Sequence, residues 1–212
     1  MNISAALRHK FAKPLFFTIC LLPFIWIIAG IVLGNLGANP VETITHQTGD
    51  WALRLLILTL VLTPLKNISG INQFIRFRRM AGLFVYFYAF LHFSIWFLAD
   101  HGLDVISMYE DIIKRPYITL GFIAFSLLTP LALTSNRWSI GRLGKNWKVL
   151  HKLVYPILVL VVIHYLWLVK ADYLEPVIYA VIALIVLAAR LKPVTGFKNS
   201  GQSRAALLQS RV

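Results

Sequence analysis

Cysteine is almost missing from this chain: Cys20 is the only one, and it sits in the middle of an apolar run. No intrachain disulfide can form, and no zinc or iron–sulfur spacing pattern exists. Cys20 reads as a small buried hydrophobe. Charge is scarce too, at 14% of residues, where a soluble domain carries about 25%. Acidic residues are the scarcer sign, eight against 21 Lys and Arg. The net charge of +13 accompanies no nucleic-acid motif, and the basic residues cluster in alternate loops instead. Nothing resembles a nucleophile, an acid–base pair or a metal-hydrolase site. No fixed-period repeat is visible, and no linker marks a second domain.

What the chain has in excess is apolar sequence, 58% of residues. It is gathered into six runs at about 14–33, 47–65, 80–98, 117–134, 149–168 and 174–189, each near the roughly 20 residues a helix needs to cross a bilayer. The expected fold is an all-α integral membrane protein, a six-helix transmembrane bundle over 1–192. A basic tail, 193–212, is expected to be disordered or to lie on the headgroups. The first run follows basic residues as a signal peptide would, but it is long and lacks a small-residue cleavage site. It reads as a retained helix.

Orientation follows from Lys and Arg. All of them except Arg54, Lys114, Arg115 and Lys170 fall on the side of the two termini, the second loop and the fourth loop. The positive-inside rule places that side, and both termini, in the cytoplasm. The positive charge also suits contact with anionic membrane lipids. All eight acids (Glu42, Asp50, Asp100, Asp104, Glu110, Asp111, Asp172, Glu175) fall on the other side, where they suit a docking face for an external partner.

Three histidines lie inside apolar runs: His92 in the third, His151 and His164 in the fifth. A ring nitrogen in hydrocarbon needs a polar neighbour or a metal. His92 and His164 lie at comparable depth, each about one to two turns from the outer end of its run, which suits two axial ligands of one haem. His151 lies at the cytoplasmic mouth of the fifth run, about 20 Å from His164 at helical rise. On a straight helix those two rings would point about 140° apart; Pro156 between them offers a kink that re-phases the helix. His46, in "ITHQTGD", sits at the outer interface and suits a haem propionate, a quinone head or plain anchoring. Arg54 is the one charge well inside a run; it either snorkels or pairs with a propionate. The inner cluster "RFRRM", with Arg78, offers the same to a cytoplasmic haem. His9 and His101 are expected to be solvated loop residues. The aromatic stretch "GLFVYFYAFLHFSIWF" suits belt and bundle packing.

The stretches "LGANPVETITHQTG", "RRMAGLFVYFYAFLH", "KRPYITLGFIAF" and "LGKNWKVLHKLVYPILVLVVIHYLWLVK" resemble the MsrQ family, the haem-binding membrane subunits of bacterial protein-methionine-sulfoxide reductase systems. More broadly they resemble the ferric-reductase-like transmembrane domain. The resemblance covers the chain up to about Arg190. It implies haem b, one or two, between the third and fifth helices, with the family's haem histidines on His92, His151 and His164. It implies electron delivery to a periplasmic molybdopterin-containing methionine sulfoxide reductase, with quinone or a cytoplasmic flavin reductase as donor, and FMN as a further cofactor. The wider superfamily carries a second histidine thirteen or fourteen residues before His92, where this chain has Arg79 and Arg78. An inner haem would then depend on His151 with Arg78, Arg79 or Met80 opposite. The alternatives are a small transporter, or a membrane anchor whose histidines are merely hydrogen-bonded.

The charge distribution makes a direct prediction. Alkaline phosphatase fused at either terminus stays inactive, and a fluorescent reporter at the same positions is bright. An active phosphatase fusion at one end would reverse the topology.

Overall fold

The computed structural model describes residues 3–191, which are helical with short connections and contain no strand. The expected tail at 193–212 lies outside the described residues. In chain order the helices are α1 (Ile3–Arg8), α2 (Ala12–Leu33), α3 (Pro40–Ser69), α4 (Ile75–Ile95), α5 (Val105–Lys114), α6 (Pro116–Leu133), α7 (Arg137–Leu143), α8 (Lys145–Leu150), α9 (Val154–Leu168) and α10 (Leu174–Leu191). Five stretches are long and apolar enough to cross a membrane: α2, α3, α4 with its flanking turns (Asn72–Asp100), α6, and Lys145–Leu168. The sixth expected run is present as α10, of 18 residues.

The bundle is built from two helix pairs. The broadest contact is α3 on α4 and the next is α6 on α9, while α10 packs against α9 and α3. Between them lies an apolar core that includes Leu56, Leu60, Tyr88, Leu128, Ile157 and Leu158. One end of the bundle carries the acidic loops and the other the basic ones.

Helix α3 is longer than its apolar run because its start is capped. The Asn39 side chain accepts from the Glu42 N–H at 3.4 Å, and Pro40 occupies the first helical position. Helix α5 has no counterpart among the expected segments. Asp104 caps it by accepting from the Ile106 N–H at 2.9 Å. Its Ile106, Tyr109 and Ile113, at helical spacing, stay exposed.

The fifth run is not one helix. A 3₁₀ turn, His151–Leu153, separates α8 from α9. Pro156 then falls in the first turn of α9, where a missing N–H costs nothing. The phase change expected at Pro156 therefore occurs a few residues earlier. Both histidines end up facing α6: His164 meets Tyr117 and His151 meets Thr134.

Beside two other prolines, side chains from neighbouring helices enter the helix ladder. Pro64 has no N–H for the Leu60 carbonyl, and Arg190 of α10 donates to that oxygen at 2.6 and 3.2 Å. Beside Pro23, the Tyr88 hydroxyl sits between two backbone groups of α2, donating to the Cys20 carbonyl at 2.8 Å and accepting from the Phe24 N–H at 3.0 Å. A side chain inserted in the ladder is a recognised source of a bend.

Arg190→Met leaves the Leu60 carbonyl orphaned and should destabilise the protein in detergent by about 1–3 kcal/mol. Pro64→Ala in the same background restores a local donor and should recover part of the loss. Unfolding of the two variants and their combination measures this coupling; an additive result would show that proline and arginine act independently.

Candidate functional site

His92 on α4 and His164 on α9 are fixed in the same way by different helices. The Nδ1 of His92 lies 2.9 Å from the Thr45 carbonyl of α3, and the Nδ1 of His164 lies 2.7 Å from the Tyr117 carbonyl of α6. A carbonyl only accepts, so each Nδ1 carries the proton and donates it. Each Nε2 is then left with its lone pair, and among the described residues neither has a hydrogen-bond partner. One helical turn beyond each carbonyl stands a glycine, Gly49 or Gly121, and the imidazole packs on its bare backbone.

The two sets follow one spacing. Histidine and carbonyl are 47 residues apart in both. Thr45, Gly49 and His92 become Tyr117, Gly121 and His164 on adding 72 to each number. No repeat is visible in the amino acids because only the glycine and the histidine recur; the carbonyl comes from any residue type.

The ring centroids of His92 and His164 are 6.3 Å apart, with planes inclined at 82°. Two imidazoles binding one metal through nitrogen at about 2.0 Å, with about 1.1 Å more from each nitrogen to its ring centre, have centroids about 6.2 Å apart. The agreement is close. Both rings line one cavity of about 560 Å³, within the range of cofactor sites. Its walls are mainly apolar, Leu56, Val85, Phe93, Phe125 and Ile157 among them, and Glu42, His46, Asp50, Arg115 and Tyr165 supply polar groups, so it extends inward from the acidic end. Among the described residues, no group of three or more His, Cys, Asp or Glu could hold a bare ion. Two imidazoles on one mainly apolar cavity suit a metal whose remaining ligands come from its own macrocycle.

The other candidate residues fall in different places. His46 lines the cavity near its mouth, with Nε2 3.8 Å from Glu42. Arg54 does not line it. Its Nε donates to the Tyr179 hydroxyl of α10 at 2.7 Å, its guanidinium is 3.8 Å from Asp50, and it lies over the Trp51 ring. The arginine lining the cavity is Arg115, which is also 3.2 Å from Asp111 and stands immediately before the first residue of α6. Position alone gave it no prominence, since it reads as an ordinary loop cation.

His151 is outside the cavity, at the basic end. Its Nε2 is 3.1 Å from the Thr134 hydroxyl, and its ring stacks on Trp147 at 3.9 Å. The Trp147 indole donates to the Thr134 carbonyl at 3.0 Å, closing the cluster. Among the described residues Arg78 forms no ion pair or hydrogen bond with His151, though its charge acts on that ring, and Met80 packs against the apolar core. The inner position thus has no opposed pair of imidazoles.

His101 is not the solvated loop residue expected. Its side chain is 4% exposed, its Nδ1 meets the Ser107 hydroxyl at 2.8 Å, and its Nε2 is 3.4 Å from Asp111. The unexpected α5 folds over it, which explains why a loop reading missed its burial.

With this geometry in view, the comparisons with known proteins point one way. Residues 48–162 match the family described as ferric reductase like transmembrane component. The chain is 47% identical over 182 residues to a protein of Herminiimonas arsenicoxydans named protein-methionine-sulfoxide reductase heme-binding subunit MsrQ, covering 84% of each. Proteins of the same name from Brucella anthropi and Brucella ovis are 46% identical over 177 residues, covering 84% of this chain and 80% of theirs. The chain belongs to the ferric reductase-like transmembrane family, on its MsrQ branch.

Proposed function

We propose that this protein is a b-type haem subunit that carries electrons across the bacterial inner membrane to a periplasmic molybdopterin enzyme reducing methionine sulfoxide in proteins. The observation that carries the haem reading is the opposed pair, His92 and His164, with each Nδ1 proton held by a carbonyl and centroids 6.3 Å apart. The relatives' names support the setting, since they describe haem-binding subunits of a methionine-sulfoxide reductase.

Bound haem supplies a one-electron iron couple. The chain's own residues prepare for it. His92 and His164 are the residues that would hold the haem iron, each through Nε2. The Thr45 and Tyr117 carbonyls fix ring tautomer and raise ligand basicity, as outer-shell acceptors do at metal sites. Held by two imidazoles, haem would supply one-electron transfer rather than ligand-binding chemistry. The apolar wall keeps water out and keeps the local dielectric low. Arg115 and His46, which both line the cavity, would pair with the haem propionates.

In this reading quinone or a cytoplasmic flavin reductase would donate at the basic end, and Glu42, Asp100 and Asp104 at the acidic end would suit a cationic patch on the partner. The family match and the relatives' names favour the haem reading over a transporter or a plain anchor. FMN, which the resemblance also implies, draws support from neither the cavity nor the relatives' names.

Purified protein from haem-replete cells should be red, with a reduced-minus-oxidised b-type spectrum. His92→Ala and His164→Ala should each abolish the same haem signal, while His151→Ala should retain it. A colourless wild type, or a His92→Ala protein with an unchanged spectrum, would sink the ligand assignment. Arg115→Leu should keep the haem and speed its loss to an apo-globin acceptor, by about 10-fold for one charge-assisted pair worth about 1.5 kcal/mol. An unchanged loss rate would remove Arg115 from the propionate site.

A further inference from the structure

We infer that Gly49 and Gly121 are positioning residues that hold the two axial imidazoles with their planes nearly perpendicular, and so set the electronic character of the bound haem. The inference rests on the haem reading above and assigns a role to two residues that ligate nothing.

The argument is one of space and of two-point restraint. A Cβ built on Gly49 would lie 3.1 Å from both Cε1 and Nδ1 of His92; one built on Gly121 would lie 3.0 Å from the same two atoms of His164. These approaches are tighter than ordinary van der Waals contact, in which carbon atoms sit about 3.5–4.0 Å apart. The rings cannot retreat freely, because each is tied by Nδ1 to a carbonyl of the same helix, one turn away, at 2.9 and 2.7 Å. Each imidazole is therefore held at its edge by a hydrogen bond and on its face by a glycine backbone. An imidazole pivots about its bond to Cβ, and these two contacts remove that freedom. The result is an interplanar angle of 82°.

The angle matters chemically. An axial imidazole donates π density into the iron d orbital perpendicular to its ring plane. Parallel rings load one of two such orbitals and split them; crossed rings load both alike and leave them nearly degenerate. Near-degeneracy gives oxidised low-spin haem a strongly anisotropic paramagnetic resonance with one very large g value. Parallel rings give the ordinary rhombic pattern.

The single glycine of α4, Gly82, provides the control. A Cβ on Gly82 would meet only the Thr59 methyl, at 3.9 Å, so Gly82→Ala should disturb neither ring.

The experiment is low-temperature paramagnetic resonance on oxidised, purified full-length protein. Wild type and Gly82→Ala should show the large-g signal. Gly49→Ala and Gly121→Ala should each shift it toward the rhombic pattern or lose the haem, with circular dichroism and elution volume unchanged. A wild-type rhombic signal would overturn the inference without any variant, as would large-g signals in both alanine variants equal to that of wild type. If the wild type bound no haem at all, the haem reading itself would fail, and this inference with it.

Discussion

A helix carbonyl that accepts a hydrogen bond from Nδ1 of a buried imidazole decides almost everything else at this site. In hydrocarbon, an imidazole with both nitrogens unpartnered is costly, and one with both satisfied by protein is inert. Here His92 and His164 each satisfy one nitrogen and leave the other bare. That is the state a metal ligand needs: neutral, of fixed tautomer and oriented. The carbonyls come from α3 and α6, whose partners α4 and α9 carry the rings. The two tightest helix pairs of the fold are thus the two halves of the site.

The contrast with His151 shows how local partners change a residue's chemistry. It lies in an apolar segment as His164 does, yet its Nε2 is engaged by the Thr134 hydroxyl and its ring is stacked on Trp147. No imidazole opposes it. The 3₁₀ turn that carries it also aims it at α6, so both histidines of the segment share a neighbour without sharing a cavity. One end of the bundle is built to hold a group between helices; the other is closed by hydrogen bonds and covered in positive charge.

Much of this was legible in the residues. The apolar runs marked every long helix, and the depth match between His92 and His164 picked out the pair that meets. The carbonyl pins were not legible, because a backbone acceptor has no sequence signature. The glycines were present but silent, since a helical glycine in an apolar segment has many causes. Arg54 and Arg115 exchanged expected places. Depth alone favoured Arg54, but α10 brings Tyr179 to it, while α5 and the start of α6 bring Arg115 to the cavity. His101 was misread for the same reason: the short helix that buries it was not recognisable from a periodic apolar run ten residues long.

Near-infrared magnetic circular dichroism of the oxidised protein tests the central claim most directly, because its charge-transfer band reports the identity of both axial ligands at once. The account predicts the band of low-spin haem with two neutral imidazoles. A high-spin spectrum, or the band of a methionine, amine or water ligand on one side, would contradict it.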